Sequence, residues 1–147
     1  MNDLPHISQS ERSAIISECS ELIAAYAYHV DRRQYAELTD LFTLDGVLER
    51  PHLTVAGKDN ILAAMQQRTE GTATRHMNGT PHFEYVTSEK ARAVTYMIMY
   101  IVEGSDEGPN EVPGTAGMGE FHDEFQRTPD GWKIAKRAAK SAMIVKR

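Results

Sequence analysis

The chain holds one cysteine, Cys19, in 147 residues. That excludes an internal disulfide framework and any zinc site built on several thiolates. No apolar run approaches the roughly 20 residues that a membrane-spanning helix needs. Bases are in deficit: Lys plus Arg is 16 against 21 for Asp plus Glu, a net charge of -5 with neutral histidines. A surface of that sign does not suit nucleic acid, whose phosphates require a basic face. The opening residues, with Asp3 and Pro5, lack the basic-then-apolar order of a secretion signal. GxGxxG, GxxxxGK and GxSxG are all missing, which removes the common dinucleotide, phosphate and serine-hydrolase sites. The absences leave a small cytoplasmic domain with neither nucleic acid nor membrane as partner.

Hydrophobic residues at 41% and charged residues at 25% are globular proportions, and the length suits one domain over residues 1–147. Residues 1–9 read as an N-terminal extension. Ser8 and Glu11 have the spacing of a capping box. Ile15, Cys19, Leu22, Ile23, Tyr26, Ala27 and Val30 then recur at helical intervals, predicting a helix from about Ser10 to His29. Tyr35, Leu38, Leu41 and Phe42 predict a second, shorter helix ended by Asp45-Gly46, with Val47 to Arg50 a short strand stopped by Pro51. Ile61, Leu62 and Met65 mark a third helix after Gly57.

The second half changes period. Arg75 to Val86 is extended, with Gly79 and Pro81 marking a bulge or edge. Ala91 to Val102 is the strongest strand and is apolar on both faces, so neither should meet bulk water. Residues 103–117 are rich in glycine and proline and carry Glu103, Asp106, Glu107 and Glu111 without a base: a long solvated loop. Met118 to Arg127 is a further strand, Thr128 to Gly131 a tight turn, and Trp132 to Val145 a closing strand. Helices first and antiparallel strands afterwards indicate an α+β domain.

Local sequence alone makes Asp31 a helix cap, its carboxylate accepting backbone N–H groups at the start of the second helix. Of the six histidines, His6 and His52 read as solvated, and His29 suits the end of a helix dipole. His76, His82 and His122 fall in strands, where a hydrogen-bonded structural role is the ordinary one. The pairs His29/Asp31 and Glu120/His122 lack the specificity of metal motifs, so no metal is expected. Cys19 sits on the apolar stripe as a small core residue. Tyr96 and Tyr100 alternate with Met97 and Met99. They are either core or the wall of an adaptable apolar pocket, and spacing does not choose.

YAYHVD at Tyr26 to Asp31, Leu41-Phe42 with Asp45-Gly46-Val47, Val55 to Lys58, Arg75-His76 and Asp130 to Ile134 occur in an order that resembles one family. From about Ser10 to Val145 the chain resembles the SnoaL-like domains of the nuclear transport factor 2-like superfamily, nearest to the scytalone dehydratase and hexachlorocyclohexane dehydrochlorinase group. The resemblance implies a cone: a curved antiparallel sheet (an α+β barrel) and three N-terminal helices enclosing an apolar pocket. It also implies an Asp31–His76 dyad, in which the carboxylate fixes the imidazole tautomer so that the ring can take a proton from carbon. The chain departs from the group at three places. Thr80 stands four residues after the histidine where many relatives have Asn. Tyr100-Ile101-Val102 stands where the dehydratase has a second histidine. YAYHVD holds no lysine.

These implications predict a cofactor-independent lyase, acting by elimination, or an isomerase or cyclase, on a small hydrophobic ring. His76 is the base and then the acid, Asp31 orients it, and Tyr26, Tyr28, Tyr96 and Tyr100 supply hydroxyls beside the apolar Met97 and Met99. The alternatives are a ligand-binding domain without catalysis and an assembly subunit resembling the small subunit of ring-hydroxylating dioxygenases. A homodimer or homotrimer is expected, because only one face of Ala91 to Val102 can line a pocket. His122 takes the place of a pocket-lining Asn in the dehydratase. Alternation sends Glu120, Glu124 and Gln126 to its face and Phe121, Asp123 and Phe125 to the other. The expectation is an inward His122 as a second proton-transfer group, the rival arrangement being inward phenylalanines.

Overall fold

A computed structural model describes residues 6–112 and 117–144. Residues 1–5 of the expected extension, 113–116 of the long loop and Val145 of the closing strand lie outside the described residues. The first element is α1 (Gln9–Asp31), capped by Ser8, whose hydroxyl accepts from the Glu11 amide at 3.1 Å. Its apolar stripe buries Ile15, Cys19, Ile23, Tyr26 and Val30. The helix stops where Arg33 turns to a positive φ of 57°. α2 (Tyr35–Thr39) follows at once. The expected second helix is shorter than its apolar pattern, because Phe42 already belongs to a strand.

That strand, β1 (Phe42–Arg50), runs straight through Asp45-Gly46. The pair is a bulge inside the strand and not its start, and the register against the last strand shifts between Phe42 and Val47. A Cβ on Gly46 would lie 3.0 Å from Phe42 and the Thr43 carbonyl, so a side chain there would press on both. β2 (Leu53–Ala56) hairpins back on β1, and α3 (Lys58–Gln66) closes the helical half. β3 (Thr72–Asn78) and β4 (His82–Val86) flank the Gly79–Pro81 break and pair with the two ends of β5 (Lys90–Glu103). β6 (Gly117–Thr128) and β7 (Gly131–Met143) complete the sheet.

The strand order is β2-β1-β7-β6-β5-β3, with β4 also on β5. This is the expected α+β cone, a curved sheet that does not close into a barrel. It is not wholly antiparallel, since β1 and β7 run parallel. The two strands are separated by most of the chain, so no hairpin dictates their direction. Odd-numbered residues of β5 from Ala91 to Met97 face the core, and the even-numbered ones face outward. In the single chain the outer face is uncovered, with Tyr96 at 67% exposure. Among the described residues no helix is long and apolar enough to cross a membrane.

Candidate active site

The open end of the cone holds a cavity of about 270 Å³. Tyr26 and Val30 of α1 form one wall, Thr74 and His76 of β3 a second, and Met97, Met99 and Ile101 of β5 a third. Phe121 of β6 and Ala139 of β7 line the side opposite β3. Gly119 keeps room between them: a Cβ there would sit 2.7 Å from the Lys140 carbonyl and 3.1 Å from the Met97 methyl.

Asp31 is the last residue of α1, and α1 packs along β3. Its carboxylate does not cap α2, whose N-cap is Gln34 without any side-chain bond. Instead Oδ1 accepts from His76 Nδ1 at 2.6 Å and from the Thr74 hydroxyl at 2.9 Å, while Oδ2 accepts the His76 backbone N–H at 2.8 Å. Both side chains are nearly covered, at 5% and 7% exposure. Burial opposes the charged carboxylate, but the hydrogen bond and charge of His76, its backbone N–H and the Thr74 hydroxyl outweigh it. The Asp31 carboxyl is therefore held below its ordinary 3.8. With Nδ1–H committed to Asp31, the neutral ring carries its lone pair on Nε2. No described residue bonds that nitrogen, and the ring lines the cavity, so Nε2 is available to a ligand.

Arg68 extends the chain of contacts backwards. It donates to the Val30 carbonyl at 2.7 Å and to the Thr74 hydroxyl at 3.2 Å. The Thr74 hydrogen is thereby turned toward Asp31. On its other side the imidazole lies against Phe121, with ring centroids 6.2 Å apart and planes 25° apart. Tyr26 is 4% exposed. Burial pushes its phenol above 10.0 despite the opposing charges of Arg137, Arg50 and Arg68, so at neutral pH it remains a hydroxyl donor.

Of the residues expected at the site, His76, Tyr26, Met97 and Met99 line the cavity, and Asp31 stands directly behind His76. Four others do not reach it. Tyr28 lies two residues from Tyr26, about 200° around the helix; it is 51% exposed and covered by the Arg32 guanidinium at 3.8 Å. Tyr96 and Tyr100 have the outward parity of β5. His122 is also outside: Phe121, Asp123 and Phe125 are buried, and His122 pairs with Glu120 at 3.0 Å on the outer face. The second proton-transfer group expected from His122 is thus not in the cavity.

Sequence reading missed a second carboxylate pair. Arg137 donates from Nε and Nη2 to the two oxygens of Asp123, each at 2.7 Å, and both side chains are wholly buried. The guanidinium lies 4.3 Å from the Tyr26 ring centroid and 3.9 Å from that of Phe121. A buried aspartate between two phenylalanines was the available signal, since such a charge requires a partner.

A family model for a SnoaL-like domain matches residues 11–138. No curated protein matches the chain in sequence. Among solved structures, the fold is similar to that of a hexachlorocyclohexane dehydrochlorinase (LinA, type 2). The TM-score is 0.77 at 18% identity, covering 94% of this chain and 92% of that one. It is similar to a protein described as a scytalone dehydratase from Novosphingobium aromaticivorans DSM 12444, with TM-score 0.75 at 18% identity, covering 92% and 89%. ActVI-ORFA from Streptomyces coelicolor gives 0.74 at 18% identity, covering 89% and 99%. At these identities the likeness is one of fold.

Proposed function

The chain belongs to the SnoaL-like domain family, and from that premise we propose a cofactor-independent lyase acting on a small hydrophobic ring. The observation that carries the reading is the buried Asp31–His76 contact whose free Nε2 faces an apolar cavity. The names of two similar structures, a dehydratase and a dehydrochlorinase, denote eliminations. In such a step His76 Nε2 takes a proton from ring carbon, and the C–H electron pair becomes the new double bond. The leaving group departs from the neighbouring carbon with its own bonding pair. Asp31 stabilises the imidazolium, which returns its proton to the departing oxygen or to solvent. In this reading Tyr26, which lines the same cavity, donates a hydrogen bond to a substrate oxygen.

The test is a panel of cyclic compounds with an activated C–H beside a hydroxyl or halide, followed by NMR in deuterated water. The wild type should form the double bond or exchange deuterium at that carbon. His76→Ala should lower the rate by roughly 10²–10⁴ while the protein remains folded. A His76→Ala variant that keeps its activity overturns the reading, and so does one that loses the fold together with activity. Binding without catalysis is the second reading. It is favoured by His122 lying on the outer face, which leaves a single histidine in the cavity. Exposed Tyr96 and Met77 on the outer face of the sheet support self-association. A pure monomer in sedimentation at micromolar concentration removes that element.

A further inference from the structure

Every charged side chain on the cavity wall is basic: no aspartate or glutamate is among the described lining residues. Two of these bases differ sharply in how they are engaged. Arg68 is held by Val30, Tyr35 and Thr74. Arg50 ends β1 on the same face as fully buried Leu48, which turns it toward the cavity. It is only half-exposed and has neither an ion pair nor a side-chain hydrogen bond with any described residue. Its neighbour Glu49 has the opposite parity and pairs with Lys136 at 3.5 Å. A partly desolvated guanidinium at an apolar cavity is costly without an anion, and its planar fork fits a carboxylate in two-point fashion. Tyr26 adds a second donor to the same cavity.

Building on the proposed proton abstraction at His76, we infer that the substrate is a ring compound bearing a carboxylate, which Arg50 seats while the apolar strands take the ring. The carboxylate fixes which ring carbon is presented to His76. Binding of 1-naphthoate and of neutral 1-naphthamide, measured by calorimetry at low and high salt, tests this. The wild type should prefer the naphthoate by about tenfold or more, as a charge-assisted contact in a half-covered site provides, and salt should weaken the preference. Arg50→Gln should erase the preference, bringing naphthoate binding down to that of naphthamide, whereas Arg50→Lys should retain part of it. His76→Ala should keep it whole. Equal binding of the two probes by the wild type, no saturable binding of naphthoate, or a preference surviving in Arg50→Gln overturns the inference. The readout is binding, so a protein that turns over nothing refutes only the reading of His76 as a base. A wild type without the carboxylate preference, or a preference that survives in Arg50→Gln, refutes only the role of Arg50.

Discussion

Two buried carboxylates stand inside the same cone, Asp31 bonded to His76 and Asp123 bonded to Arg137, and the two contacts are built differently. Both have short contacts, 2.6 Å and 2.7 Å, and both are covered. Guanidinium groups stay charged at any working pH, and Asp123 takes two N–H groups of Arg137. Its Nη1 has no hydrogen-bond partner among the described residues, and ring faces of Tyr26 and Phe121 cover the guanidinium instead. That pair is closed: it spends its capacity holding two side chains of the cavity wall. His76 can gain or lose a proton, and only one of its ring nitrogens is committed. The role proposed for the first pair therefore rests on a ring nitrogen left free at the cavity, not on burial or distance, which the two pairs share.

The sharpest way to break this contrast is Asp123→Ala. It strands a wholly buried guanidinium, and the cost should be about 3–5 kcal/mol of stability, read by urea unfolding. Asp123→Leu combined with Arg137→Met should recover most of that loss, because removing both charges removes the desolvation penalty too. A loss under ~1 kcal/mol for the single variant would show that water reaches Arg137 and that the pair is not closed.

Asp31→Asn attacks the other pair and should fall mainly on rate. The amide can present N–H to His76 Nδ1, which puts the ring proton on Nε2 and removes the base. A fall of about 10²-fold or more in turnover is expected, with an unfolding midpoint well above that of Asp123→Ala. The pH dependence has a definite sign. The folded-state pKa of Asp31 is depressed, so its stabilisation is present above the unfolded value near 3.9 and is lost as pH falls through the folded one. The stability gap between wild type and Asp31→Asn should therefore shrink below about pH 4. A gap that persists undiminished in acid would mean that the carboxylate's charge contributes nothing.

The two pairs also differ in how far they could be read from sequence. Helical spacing located α1 and its end, so Asp31 was visible as a residue, although its local chemistry read as a cap. Its true partners come from β3, 43 and 45 residues away; family resemblance joined it to His76 alone, and Thr74 went unread. Arg137 was hidden by strand parity. Trp132 and Ile134 are buried, and strict alternation then sends Arg137 outward. The register shift opposite Glu124 and Phe125 inserts one residue and reverses the face, so Arg137 meets Asp123 in the core. A bulge of this kind has no marker in the letters of the strand, and a one-residue slip inverts every side chain after it. The alternation within β6 was read correctly. Which of its faces turned inward depended on the whole sheet.

His122→Ala is the mildest probe and tests the boundary between the inner and outer faces. His122 and Glu120 are 24% and 31% exposed and lie 3.0 Å apart. They are neighbours across β5 from Val94 and Tyr96, on the face away from His76. An ion pair open to solvent contributes little, because water screens it and two side chains must be ordered to make it. The substitution should change stability by less than about 0.5 kcal/mol and leave turnover and ring-carboxylate binding at wild-type values. A loss of activity would return His122 to the chemistry and undo the separation of faces. A destabilisation that grows as the protein is diluted would instead locate a contact between copies on this face, since only an interface makes stability depend on concentration.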